Sequence, residues 1–243
     1  MINKYVLAGG PSSGKTAGIE YLKVSLGAKG YKVYTIQETA SELIRSGLDR
    51  TSPNFPYYNY SLMLYKELLI EKNAKQNRED SIILCDRGRM DAKAYRGEKI
   101  FNDILSKYPG TTEKSILDSY DAVLFMQSVA DGMDNCYLKD EIRTEDIPEA
   151  KIIQNKLLDV WKEHKKIVFV PNCEKLQDKL KMLEMEIIKD VEKRKNQSLT
   201  SEELIRFSEG INISKEKMFE QVEALLKSVN PEFVRNDKVT FEH

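Results

Sequence analysis

An α/β fold, a five-stranded parallel sheet wrapped by helices, is what this sequence predicts, and three observations carry the expectation. Short runs rich in Val, Ile, Leu, Tyr or Phe alternate with longer stretches of helical period. The run Gly9-Gly10-Pro11-Ser12-Ser13-Gly14-Lys15-Thr16 fits the phosphate-binding loop pattern of Gly, four residues, Gly-Lys-Thr. Further on, the apolar run Ile82-Ile83-Leu84-Cys85 ends in an acid, Asp86, as expected of a carboxylate that orients magnesium beside such a loop.

The first strand is expected over 4–8, Lys4-Tyr5-Val6-Leu7-Ala8, feeding the loop directly. Backbone amides must close around phosphates there. Only glycines permit the bends, and a helix must start behind them with the positive end of its dipole forward. Lys15 supplies charge for the outer phosphates, and the Thr16 hydroxyl is placed to ligate magnesium. The other strands are expected over 32–37, 81–85, 122–127 and 166–170. Helical patterns begin at the loop, follow Glu38, run over 57–77, carry Tyr95, Phe101, Ile104 and Leu105, and recur at Ala150, Ile153, Leu157 and Trp161.

After Pro171 the character changes. Leu176, Leu180, Leu183, Ile187 and Val191 form one apolar stripe among charges, and two more helices are expected beyond it, with Ser201 and Ser214 as N-caps. The chain is therefore divided into a nucleotide-binding domain over 1–190 and a helical C-terminal extension over 191–243. A helix pair joined by Gly210-Ile211-Asn212 invites comparison with a DNA-binding helix-turn-helix, but no basic recognition face accompanies it.

Composition narrows the partners. With 38 basic and 39 acidic residues the net charge is -1, which gives no global field for nucleic acid or an anionic membrane. Cys85, Cys136 and Cys173 are widely spaced with no paired Cys/His arrangement, so three reduced thiols in the cytoplasm are expected. Met1-Ile2-Asn3 enters the expected first strand at once, so no cleavable signal is expected, and no apolar run approaches the length of a bilayer span.

Several residues have chemistry to offer at the strand ends. Arg87 follows Asp86, where a guanidinium reaches either the transferred phosphoryl or a second substrate, or forms a strand-end ion pair. Asp91 caps the next helix or serves metal or substrate. Glu38, at the carboxyl edge of the second strand, is a candidate base for a substrate hydroxyl, or simply complements a helix N-terminus. The aromatic segment Asn54-Phe55-Pro56-Tyr57-Tyr58-Asn59-Tyr60 stacks on a planar acceptor or packs in the core. The polar stretch 130–145 reads as a lid whose Arg143 engages the triphosphate, or pairs with Glu145 or Asp140. His164 decorates a helix end.

Taken in order, GGPSSGKT, QETA, DRGRMDAKAY, SVADGMDNCY, RTEDIPEA and WKEH resemble a group of stand-alone P-loop ATP-binding proteins of AAA-domain type. The group is similar to the nicotinamide-riboside-kinase-like domain of a bifunctional NAD-synthesis regulator and, more distantly, to the deoxynucleoside kinases. The resemblance covers about residues 1–190. It implies a kinase-type P-loop fold with strand order 2-3-1-4-5, phosphates and magnesium at Lys15 and Thr16, an acceptor hydroxyl near Glu38, and Arg143 in a lid. Animal relatives that join such a domain to a triphosphate-tunnel domain resemble GTP-binding adaptors. This chain departs from them in its short helical C-terminal segment, and from the deoxynucleoside kinases in reading Asp-Arg-Gly where they have a Ser after the Arg.

The expected function is magnesium-dependent transfer of the ATP γ-phosphate to a hydroxyl of a small metabolite, with a nucleoside-like substrate among the candidates. Two alternatives remain beside it. One is a nucleotide-dependent switch or scaffold that uses ATP or GTP and reaches a protein partner, or a second copy, through the C-terminal helices. The other is a nucleotide-responsive DNA-binding regulator. No Asn-Lys-x-Asp guanine-reading motif appears, which favours ATP over GTP.

Overall fold

The computed structural model describes residues 1–77, 80–133, 135, 137 and 146–209, with side chains through 197. Arg143, Cys136 and the helices expected after residue 210, with Ser214, lie outside the described residues. The chain divides into two compact units, Met1–Lys189 and Asp190–His243. The first carries the sheet, in the order β2-β3-β1-β4-β5 expected from the resemblance, with every pairing parallel.

Its elements are β1 (Ile2–Ala8), α1 (Lys15–Ala28), β2 (Lys32–Ile36), α2 (Thr39–Arg45), α3 (Phe55–Asn77) and β3 (Ser81–Asp86). They continue with α4 (Asp91–Ser106), α5 (Glu113–Asp118), β4 (Ala122–Met126), α6 (Ile147–Trp161), β5 (Ile167–Val170) and α7 (Leu176–Glu209). The strands fall where their β-branched and aromatic runs put them. The central pair is closed off from water: Tyr5, Val6 and Leu7 of β1 and Ile82, Ile83 and Leu84 of β3 have no exposed surface. A fully buried Leu or Ile is worth about 1.5–3 kcal/mol relative to exposure, so the middle of the sheet outweighs either edge. At the β5 edge Phe169 remains half exposed.

Two helices differ from expectation. α5 is only six residues long, too short to show a 3.6-residue period, and is held by a capping box in which the Thr112 side chain accepts from the Ser115 N–H at 3.1 Å. Ser201 does not start a new helix. It lies within α7, which runs unbroken to Glu209 because no proline or glycine interrupts the stretch. Along α7, Leu180, Leu183 and Ile187 are buried as the stripe requires, while Leu176 is exposed.

Beneath the sheet face covered by α3 and α4 lies a charged network that sequence pattern does not announce. Glu67 of α3, 1% exposed, accepts from Lys4 Nζ of β1 at 2.5 Å, from Arg89 Nε at 3.1 Å and from the Tyr120 hydroxyl at 2.6 Å. Arg89 reaches Ser119 at 2.8 Å as well, and Lys4 reaches Glu71 at 2.7 Å. One carboxylate thus ties a central strand, a long helix, the turn after β3 and the end of α5. Removing one member of such a set leaves buried charge without a counter-ion. Glu67→Ala is therefore expected to lower the unfolding free energy by about 3–5 kcal/mol in urea titrations. A loss below about 1 kcal/mol would show that Arg89 finds another counter-ion while Lys4 keeps Glu71.

Candidate functional site

The parallel register sets the site. Leu7 stands beside Asp86, Ile36 beside Cys85 and Ala8 beside Phe125, so the carboxyl ends of four strands meet on one edge. Ligands of open parallel sheets bind along that edge. There the chain leaves β1 through Gly9, at φ 135°, where a Cβ would stand 2.2 Å from the Met126 carbonyl oxygen, so no other residue fits. Gly14, at φ 89°, then leads into α1.

The loop is held from outside. The Ser128 hydroxyl donates to the Pro11 carbonyl, the Val129 N–H to Ser12 O at 3.4 Å, and Lys179 Nζ to Ser13 O at 3.0 Å. Because a trans peptide points its C=O and N–H to opposite sides, pinning three successive carbonyls also fixes the direction of the amides between them. Lys179, from the first turns of α7, is 3% exposed and donates also to Gln127 O at 2.6 Å and Asn172 Oδ1 at 2.9 Å. Burial, opposed only by Cys173, lowers its pKa to about 8.

Inside the loop, Lys15 Nζ donates to Gly9 O, Gly10 O and Ser13 Oγ, each at 2.9 Å. Burial and then the neighbouring Arg87 guanidinium lower its pKa to about 7, against the pull of Asp86 and Glu38. The Thr16 hydroxyl donates to Asp86 Oδ2 at 3.1 Å. Burial raises the Asp86 pKa, with Lys15 and Arg87 acting against it. The two oxygens suit magnesium, a hard cation that keeps several waters and takes one or two protein ligands beside phosphate oxygens.

Beyond the loop opens a cavity of about 370 Å³. Arg87 commands its polar side from a backbone at φ 78°, a left-handed conformation rare for a residue with a side chain. Its Nε donates to Glu38, its Nη1 to the Tyr95 hydroxyl at 2.8 Å, and Asp91 Oδ2 lies 3.7 Å from the same Nη1. Burial raises the Glu38 pKa, but Arg87, the Ser41 hydroxyl at 2.7 Å and Lys15 outweigh it and bring the carboxyl down to about 2. Burial depresses the Arg87 pKa, yet Tyr95, Glu38, Asp91 and Asp86 together hold it well above the usual value.

The structure thus brings together residues 11–16 of the phosphate loop, Glu38, Asp86 and Arg87 around one space, while Gly9 and Gly10 lie outside its lining. Asp91 is not a helix cap. It is the first residue of α4, its Oδ1 accepts from Trp161 Nε1 at 2.7 Å, and its buried Oδ2 has no hydrogen-bond donor. The aromatic segment divides, Phe55, Pro56, Asn59 and Tyr60 lining the cavity while Tyr58 is half exposed. His164 is buried and structural, accepting from the Lys166 N–H at Nδ1 and donating through Nε2 to Tyr120 O at 3.0 Å. Sequence reasoning missed Lys179, Tyr95 and Arg96. Tyr95 was within reach of it, since Asp91 and Tyr95 are four residues apart and share a helix face.

The depressed Glu38 pKa has a sign that can be measured. A carboxyl with folded pKa about 2 against an ordinary 4.5 contributes stability that is complete above about pH 4.5 and is lost as pH falls through 2. Asp86 and Asp91, both raised, act the other way, so the comparison is with Glu38→Gln. The stability gap between parent and variant is expected to be on the order of 3 kcal/mol at pH 6 and to shrink steadily between pH 4.5 and 2. A gap that stays flat over that range in urea titrations would mean that the Glu38–Arg87 pair is not formed in solution.

A family model described as an AAA domain matches residues 4–179, from the first strand to the lysine that pins the loop. No curated protein matches the chain. With the phosphate loop, the sheet order and the match all in agreement over most of its length, the chain belongs to this AAA-domain family of P-loop nucleotide-binding proteins.

Proposed function

We propose that this protein is a kinase that moves the γ-phosphate of ATP to a hydroxyl of a small metabolite in a magnesium-dependent reaction. One observation carries the reading: the phosphate loop opens into a cavity of about 370 Å³ whose walls include Phe55, Tyr60 and Met63. Hydrolysis needs room for one water beyond the terminal phosphate. A largely apolar chamber of this size suits an organic acceptor instead.

Lys15 would leave its own loop for the phosphate oxygens, and Thr16 and Asp86 would hold a magnesium ion, whose charge would offset that on those oxygens. Glu38, ionised at any physiological pH, accepts the acceptor's hydroxyl hydrogen. As the new O–P bond forms and the bond to the leaving ADP oxygen breaks, the proton passes to the Glu38 carboxylate. A carboxylate this weakly basic takes it late, which fits a loose transition state in which positioning and charge supply most of the rate. Arg87 steadies Glu38 and faces the transferred group, Asp91 Oδ2 is left to accept from the acceptor, and Arg143, outside the described residues, would add a lid guanidinium.

The switch reading keeps one specific support. Lys179 links α7 to the carbonyl of Ser13, so a partner acting on that helix would act on the loop. Screening a metabolite library for stimulated ADP release separates the two readings. Lys15→Ala is expected to retain the fold and lose most Mg-ATP affinity by calorimetry; binding equal to the parent's would remove the loop from the account. Glu38→Gln is expected to keep ATP affinity while transfer to the acceptor falls roughly 10²–10⁴-fold. If no acceptor emerges and nucleotide state instead controls capture of a protein partner, the switch replaces the kinase.

A further inference from the structure

Four lysine or arginine side chains are buried among the described residues, and they are not equivalent. Lys4 and Arg89 share Glu67, and Lys15 feels the charges of Asp86 and Glu38. Lys179 has no carboxylate: among the described residues none forms an ion pair with it. Its three acceptors, Ser13 O, Gln127 O and Asn172 Oδ1, are all neutral. Among the described residues, Cys173 is the titratable side chain whose charge acts on it.

An ammonium buried in this way gives up its hydration for neutral oxygens alone. A neutral donor would satisfy carbonyl oxygens without burying a charge, so hydrogen bonding does not by itself call for a lysine here. Its position does. Ser13 receives two ammoniums, Lys15 at Oγ from inside the loop at 2.9 Å and Lys179 at the main-chain oxygen from outside it at 3.0 Å. The Ser13 carbonyl and the Gly14 N–H belong to one trans peptide and point opposite ways. A cation on that oxygen polarises the peptide and strengthens its N–H as a donor. In the poorly screened interior the same charge adds to the field that the loop presents to an anion.

From this arrangement we propose that Lys179 is a positioning residue of the nucleotide site, acting through the Ser13-Gly14 peptide, and that a bound triphosphate supplies the counter-charge this lysine lacks. The inference rests on nucleotide binding at the loop, which the kinase and switch readings share, and not on phosphoryl transfer. It has a consequence for protons. With burial lowering the Lys179 pKa to about 8, roughly half of these side chains are neutral at pH 8 in the free protein. Anionic charge beside the loop raises that value, so binding at pH 8 draws about half a proton onto Lys179, beside whatever Lys15 takes up.

The test is calorimetry on the full chain with magnesium and the non-hydrolysable analogue AMP-PNP, at pH 8 in buffers of different ionisation heat, which reads affinity and proton uptake together. Lys179→Met is expected to bind at least roughly tenfold more weakly, as for a lost charge-assisted contact, and to take up about half a proton less than the parent. Lys179→Arg, which keeps the charge but cannot release its proton, should lose less than about tenfold and show the same missing half proton. Lys181→Met, which removes an exposed charge from the same helix, should match the parent in both readings. Should Lys179→Met not fold, Lys179→Arg decides alone. The inference is overturned if Lys179→Met binds like the parent, or if either variant takes up as many protons as the parent. It is overturned also if Lys179→Arg weakens binding by as much as about tenfold, which would assign the loss to packing. A parent that binds no Mg-AMP-PNP would remove the nucleotide site and this inference together. A failed search for a phosphoryl acceptor would sink the kinase reading and leave each of these readings in place.

Discussion

The pairing of Arg87 with Glu38 is the constraint around which the working edge of this molecule is organised. The two residues come from different crossovers, one following β3 and the other β2, and only the parallel register of those strands brings them together. Desolvating two charges costs several kcal/mol, and a buried pair often recovers no more than that. The backbone at Arg87 adds strain of its own. Two unfavourable choices at the mouth of a cavity, a buried ion pair that apolar residues could replace and a positive φ that glycine would relieve, mark a place where folding has been subordinated to what the cavity does.

Strain there is tolerable because the floor beneath it is over-determined. Glu67 joins Lys4, Arg89 and Tyr120, and Trp161 closes the other side against Gly88, where an added Cβ would come within 2.6 Å of the indole. The Trp161 N–H then fixes Asp91. Arg89 and Asp91, which face the cavity, are thus each backed by a group that does not. Such an arrangement favours rigidity over adaptability, as expected where charge must stay aligned while a bond changes hands.

Most of the fold was legible in the sequence because it is local in kind. Strands rich in β-branched residues, a glycine-rich loop and helical stripes each announce themselves over fewer than twenty residues, and all five strands fall within two residues of their expected ends. α5 escaped because six residues hold less than two turns. The site was legible only in part. Glu38, Asp86 and Arg87 could be placed by asking what lies at strand ends, whereas Lys179 is 166 residues from the carbonyl it pins and looks like any surface lysine in a charged helix. The contact of Asp91 to Trp161 escaped for a similar reason, since the two are 70 residues apart. Long-range polar contacts leave no period to detect.

Lys15 already grips Gly9, Gly10 and Ser13, so a phosphate that enters the loop competes with the protein's own oxygens for the same ammonium. Three hydrogen bonds must be exchanged for new ones. A triphosphate offers more acceptor oxygens to that exchange than a small dianion does, and each can replace one of the contacts given up. The self-closed lysine therefore sets a cost of three hydrogen bonds on entry to the loop, one met most readily by a ligand that presents several oxygens at once.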